Sequence, residues 1–327
     1  MWKIKELEIP GKVVLGPMAG ITNVAYRRLM KPFGVSLCYT EMVSDCGLIY
    51  HNEETFRYLV TEEEERPVGI QLFGGTKETL LKGLMVLKET KAKYDFIDIN
   101  LGCPVHKVTK TGAGSAWLKR PQELYEMMKE LVSQASCPVT AKIRIGWDFD
   151  SINYREVIQL LEQAGVAMIA IHTRTRAELY GGKAHHDWLK NIRQEMHVPL
   201  VISGDIFTLD DAIAAQRITG ADGIMVARGS LGNPYLITQI EHYFATGEKL
   251  PKVSLIENLS YLKRHYLLLK ELKGEKVAIQ EMRGIAPHYL KGYADTKAFR
   301  MQLATQIKYE SDFFSLLSKI EKKEERI

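Results

Sequence analysis

Short apolar, β-branched runs recur along the chain at intervals of about thirty residues: KVVLGPM (12–18), LCYTEMV (37–43), VGIQLFG (68–74), FIDINLG (96–102), VTAKIRIG (139–146), MIAIHT (168–173), PLVISGD (199–205) and GIMVARG (223–229). Most are separated by stretches with helical spacing, such as KETLLKGLMVLKETK, PQELYEMMKELVSQ, NYREVIQLLEQAG and TLDDAIAAQRITG. Strand and helix in alternation imply a parallel sheet, and runs apolar on both faces are what buried parallel strands require. Eight such units within the first 245 residues predict an α/β fold of the (β/α)8 TIM-barrel class. An open doubly wound sheet is the alternative. The count of eight and the lack of GxGxxG after the first run speak against it.

After the linker-like HYFATGEKLPKVS (242–254) the strand pattern stops, and the remainder reads as several helices punctuated by Gly274, Gly284, Pro287 and Gly292. The expected organisation is a barrel over 1–245 and a small all-helical domain over 246–327. The acidic run TEEEERP (61–67) reads as a solvated surface loop.

Charge changes this picture only in the tail. Residues 1–250 carry 29 Lys and Arg against 30 Asp and Glu, whereas 251–327 carry 15 against 10. That surplus suits a polyanionic partner, or simply a solvated helical face. No run reaches the roughly 18 apolar residues of a membrane span. No apolar signal region follows the N-terminal charges. Cys38, Cys46, Cys103 and Cys137 form no CxxC pair, so neither a disulfide framework nor a metal site is expected, and a reducing cytoplasm fits.

The strand ends carry the candidate chemistry, because in a barrel they share one rim. They bring Pro17, Met18 and Ala19; Gln71; Asn100 and Cys103; Lys142 and Arg144; His172, Arg174 and Arg176; Ser203, Gly204 and Asp205; and Ala227 and Arg228. A lysine inside a buried strand is costly unless a ligand meets it. The glycine-rich loops after the seventh and eighth runs each lead into a helix, an arrangement that binds phosphate. A flavin mononucleotide across the mouth satisfies these features; a sugar phosphate satisfies several of them. The loop after the fourth run, GCPVHKVTKTGAGSAWLKRP, spans about twenty residues and carries His106, Lys107, Lys110 and Lys119 with no acid. Loops of that length are usually functional, and a lid meeting an anionic substrate is expected. A lone cysteine such as Cys103 is usually a small buried hydrophobe; its place at a strand end beside Asn100 argues for catalysis.

LGPMAGITNVAYR, EMVS, QLFGG, DINLGCPVHKVTKTGAGSAWL, KIRIGW, IHTRTR, SGDI and GADGIMVARGSLGNP, with EMRGIAPHYLKGY in the tail, resemble the tRNA-dihydrouridine synthases, most of all the bacterial DusB type. The resemblance covers nearly the whole chain. It implies FMN in the barrel, NADPH (or NADH) as reductant, and reduction of the C5–C6 double bond of uridine in the tRNA D-loop. Hydride passes from flavin N5 to C6, and Cys103 gives a proton to C5. It further implies cofactor contacts from Pro17, Met18, Ala19, Gln71, Lys142, His172, Ser203, Gly204, Asp205, Ala227 and Arg228. Asn100, Arg174 and Arg176 match substrate positions. Lys107 and Lys110 in the lid, and Arg283, Lys291, Lys297 and Arg300 in the tail, are the expected tRNA grip near the elbow. The implied state is cytoplasmic and monomeric, with no metal and no membrane. Three positions depart from the family pattern: Ser203 stands for asparagine, Ala227 for glycine, and Thr173 for glycine. The same barrel acting on a free small molecule or on ribosomal RNA is the alternative function.

Overall fold

The computed structural model describes residues 1–324. Ten strands are present: β1 (Trp2–Ile4), β2 (Leu7–Ile9), β3 (Val13–Leu15), β4 (Leu37–Ser44), β5 (Val68–Phe73), β6 (Phe96–Leu101), β7 (Val139–Arg144), β8 (Ile169–His172), β9 (Leu200–Ser203) and β10 (Gly223–Val226). β3 to β10 close a parallel barrel in which β10 pairs with both β9 and β3. These eight are the runs expected from the sequence. The observed strands mostly stop short of the expected C-terminal ends, because there the chain leaves the ladder to build the rim.

β1 and β2 form an antiparallel hairpin that the pattern did not predict. It plugs the far end of the barrel: Trp2, Ile4 and Ile9 join Val14, Tyr39, Phe96, Met168 and Val201 in one apolar cluster. With that end sealed, the C-terminal rim is the open mouth.

The helices start and stop where local chemistry directs them. Thr76 caps Lys77–Glu89 by accepting from the Thr79 N–H, and Leu80, Leu84 and Leu87 bury one face at helical spacing. Thr208 and Asp211 cap Leu209–Thr219 reciprocally, and Gly220, in the left-handed region, ends it. After β8 two 3₁₀ turns, His186–Leu189 and Ile192–Glu195, stand where a barrel would place an α-helix.

Beyond the helix Tyr235–Thr246 and an irregular stretch come four helices: Leu255–Lys273, Glu275–Tyr289, Lys297–Thr305 and Glu310–Glu324. The first packs on the helix Val24–Met30 beside the mouth, with the His265 ring 5.2 Å from Tyr26. Asn258 donates to the carbonyls of Gly232 (3.0 Å) and Tyr289 (2.6 Å). The tail is thereby bolted to the loop after β10.

The acidic run is not all surface. Glu65 is fully buried and pairs bidentately with Arg27, at 2.5 and 3.1 Å. Arg27 also donates to the carbonyls of Thr22 and Val60. Among the described residues no helix is long and apolar enough to cross a membrane.

Candidate active site

A cavity of about 390 Å³ opens at the C-terminal rim. Pro17, Met18, Ala19, Asn100, Cys103, Lys142, His172, Ser203, Gly204, Asp205, Ala227 and Arg228 all line it. Six separate strand ends meet there, as the barrel geometry demands.

Cys103 sits at the root of the loop after β6. Its N–H donates to Asn100 Oδ1 (2.8 Å), as does that of Gly102 (3.2 Å), so Asn100 folds the turn over its own side chain. The returning loop closes on the same turn: Ser115 N–H donates to the Cys103 carbonyl (3.1 Å). Gly114, at φ +60°, permits this, since a Cβ there would lie 2.7 Å from that carbonyl. Arg144 braces the turn from β7, donating to the carbonyls of Gly102 (3.0 Å) and Thr175 (2.6 Å). Burial raises the Cys103 thiol above its ordinary value of 9.0, partly offset by the Val105 N–H and by Arg144 and Lys142. The sulfur is therefore a neutral thiol at physiological pH.

Lys142 is half-buried on β7 and makes no hydrogen bond or ion pair among the described residues. Burial, then the charge of Arg144, lowers it to about 8. His172 is held neutral by burial and the cations around it. Arg174 lies 3.3 Å from its Nε2 and can only donate, so the ring proton is on Nδ1.

The loops after β9 and β10 form a cradle. Gly229 lets them touch, since a Cβ there would lie 1.9 Å from the Ile206 carbonyl. The N–H groups of Arg228 and Gly229, opening the turn Arg228–Ser230, donate to no protein acceptor among the described residues, nor does the Ser203 hydroxyl. Arg228 lies between the rings of Tyr180 and Phe207, 5.1 and 5.3 Å from their centroids. Unpaired amides, a hydroxyl and a guanidinium at one corner, with a partnerless ammonium across the floor, fit a phosphorylated ligand bearing an electron-rich ring.

Several expected site residues take other places. Gln71 is fully buried beneath the floor, hydrogen-bonded to Asp98 (2.7 Å) and Asn100 (2.9 Å). Arg174 is buried and spent within the protein: it pairs bidentately with Asp205 (2.8 and 2.6 Å) and donates to the carbonyls of Gly181 and Gly182. Asp205 lines the cavity, but its carboxylate is taken by Arg174, Arg228 and the Ala184 N–H. Arg176 stacks on Trp147, 4.5 Å from the ring centroid, and reaches Thr109 of the lid.

The expected lid is largely folded. Its first part forms the helix His106–Thr109, carrying Lys107 exposed, with Lys110 exposed just after it. Its second part is a 3₁₀ helix whose Trp117 is buried and donates to the Gly74 carbonyl (2.8 Å). Arg283 donates to the Ile307 carbonyl (2.9 Å), whereas Lys291 and Lys297 are exposed. Thr173 turns away from the cavity toward His186 (3.2 Å), so its extra side chain takes no ligand space. Tyr180, half exposed over the cavity, was not anticipated. Its one signal was an aromatic before two glycines in the loop after β8.

The chain is similar to known proteins. A family model described as dihydrouridine synthase (Dus) matches residues 14–324. The probable tRNA-dihydrouridine synthase 1 of Synechocystis sp. is 37% identical over 302 residues, covering 92% of this chain and 84% of that protein. The tRNA-dihydrouridine synthase B of Pseudomonas aeruginosa is 34% identical over 300 residues, covering 92% and 90%. Among solved structures, the 6-hydroxypseudooxynicotine amine oxidase of Pseudomonas geniculata superposes with a TM-score of 0.53 at 12% identity, over 76% of this chain and 50% of that one. At that identity the likeness is one of fold. The family match over almost the full length, with the thiol, lysine and cradle converging on one cavity, leads to the identification: this chain is an enzyme, an oxidoreductase, and belongs to the dihydrouridine synthase family.

Proposed function

We propose that this enzyme binds FMN in the mouth cavity, takes reducing equivalents from NADPH, and reduces the C5–C6 double bond of a uridine in the D-loop of tRNA. tRNA as substrate follows the named relatives. The observation that carries the chemistry is a neutral thiol in the same cavity as a phosphate cradle and a partnerless lysine.

The cradle of Ser203, Arg228 and the Arg228–Gly229 amides would hold the phosphate, and Lys142 would face the ring. The bound flavin supplies a hydride to uracil C6. Reduction of the double bond then needs one proton at C5. Cys103 gives it, because a thiol kept protonated by burial is a competent acid at neutral pH, and the braced turn holds it at one height. Purified enzyme, NADPH and tRNA lacking dihydrouridine will yield dihydrouridine at defined D-loop positions, located by mass spectrometry of the digested tRNA. Flavin-bound enzyme that oxidises NADPH yet leaves every uridine intact would refute the assignment.

A base stacked inside folded tRNA reaches the mouth only when flipped out, and flipping needs a hold on the tRNA body. The exposed cations beside the mouth, Lys107 and Lys110, and those of the tail, Lys291 and Lys297, supply it through phosphate contacts. Lys291→Gln is expected to weaken binding of all tRNAs alike and to reduce the slope of log K against log salt by about one. An unchanged slope in filter-binding titrations would remove Lys291 from the interface.

A further inference from the structure

Beneath the cavity floor runs a chain of hydrogen bonds that ends at the Cys103 turn. Thr140 on β7 donates to Asp98 Oδ1 (2.6 Å), and Gln71 Nε2 on β5 donates to Asp98 Oδ2 (2.7 Å). Asn100 Nδ2 donates to Gln71 Oε1 (2.9 Å), and Asn100 Oδ1 accepts from Cys103 N–H (2.8 Å). Asp98 and Asn100, two apart on β6, point to the same side. Register pairs Asp98 with Gln71 on one flank and Thr140 on the other.

The direction of this chain is dictated from its Cys103 end. A backbone N–H can only donate, so Asn100 must turn its oxygen to Cys103 and its nitrogen to Gln71. Gln71 must then offer oxygen upward and nitrogen downward. Residue 98 must therefore accept from Gln71, and in this structure it also accepts from the Thr140 hydroxyl. A carboxylate meets both demands at this fully buried position whichever way it turns, whereas an amide meets them only with its oxygen toward Gln71 and its nitrogen toward a Thr140 hydroxyl turned to accept. We propose that Asp98 is a positioning residue whose carboxylate sets the orientation of the Gln71 and Asn100 amides and so holds the Cys103 turn in its proton-donating place. Burial raises Asp98 to about 6, opposed by Thr140, Gln71 and Lys142; the acceptor form persists at neutral pH. An asparagine at 98 no longer fixes the order from below: when its amide nitrogen rather than its oxygen faces Gln71, the order reverses. Both amides then flip, and Asn100 turns N–H groups toward the N–H of Cys103.

This rests on the reading of Cys103 as proton donor, and the test separates the two. In stopped-flow, Asp98→Asn is expected to slow flavin reoxidation by tRNA about tenfold or more, with flavin reduction by NADPH unchanged, since that half-reaction takes no proton from Cys103. In the Cys103→Ala background Asp98→Asn should slow reoxidation no further, because residues acting through one group are not additive. Asp98→Asn combined with Gln71→Glu moves the acceptor up one link, where it receives the amide nitrogens of residues 98 and 100 together, and should recover most of the lost rate. Equal slowing of both half-reactions, a further loss in Cys103→Ala, or a double variant as slow as the single one would overturn the proposal. Reoxidation of Cys103→Ala at the wild-type rate would instead remove the proton-donor reading itself.

Discussion

Cys103→Ala is expected to lower the rate of dihydrouridine formation by about 10²- to 10⁴-fold, the range in which a positioned acid contributes. Flavin content and tRNA affinity should hold, because the Cys103 backbone bonds to Asn100 and Ser115 need no side chain. The bound tRNA would wait at C5 for a proton from water. Cys103→Ser should recover little, since a hydroxyl is a far weaker acid than a thiol. Product counted by mass spectrometry in single-turnover reactions checks both variants. Wild-type turnover in Cys103→Ala would end the assignment.

The pH profile of the wild-type step has a definite sign. In the proposed reaction the donor is the protonated thiol, present below its pKa and lost above it. Burial places that pKa above the ordinary 9.0, so the thiol should impose no alkaline fall on the single-turnover rate through pH 8 to 9, and one only at higher pH. A decline centred below 8.5 that is lost in Cys103→Ala would mean that the thiol ionises early, against this expectation. Lys142, near 8, is the competing titration. The Cys103→Ala profile separates them, because only the thiol limb disappears with the sulfur.

The eight barrel strands were legible because a buried parallel strand has no polar face to disguise it, and its helix follows at once. The N-terminal hairpin was not, since three-residue strands inside MWKIKELEIP carry too few apolar positions to show a period. At the site, sequence named which side chains reach the strand ends but not which way each spends its hydrogen bonds. Gln71 and Arg174 look like ligand contacts by position. The first is consumed by Asp98 and Asn100, the second by Asp205 and two carbonyls. Those partners lie from 7 to 31 residues away, beyond any local pattern. Asp98 itself sits mid-strand, where an acid reads as an anomaly until Thr140 and Gln71 are seen beside it.

Glu65 shows the same blindness in its sharpest form, and it carries a large stability prediction. A run of four glutamates reads as solvated, and three of them are. The fourth turns inward because Arg27, 38 residues earlier, is buried opposite. Glu65→Ala is expected to destabilise the fold by about 3–5 kcal/mol, because it strands a guanidinium inside the protein rather than merely deleting a contact. Glu62→Ala, which removes a carboxylate from the outer end of the same run, should change stability by no more than about 0.5 kcal/mol. Replacing both partners together, Arg27→Met with Glu65→Leu, removes the stranded charge. That pair should lie well above Glu65→Ala in urea midpoint, since two apolar side chains can fill a site that a lone cation cannot occupy without cost. A Glu65→Ala midpoint equal to that of Glu62→Ala would show that Arg27 finds water or another acceptor, and that the pair does not hold the 3₁₀ turn Glu63–Glu65 against the helix Val24–Met30.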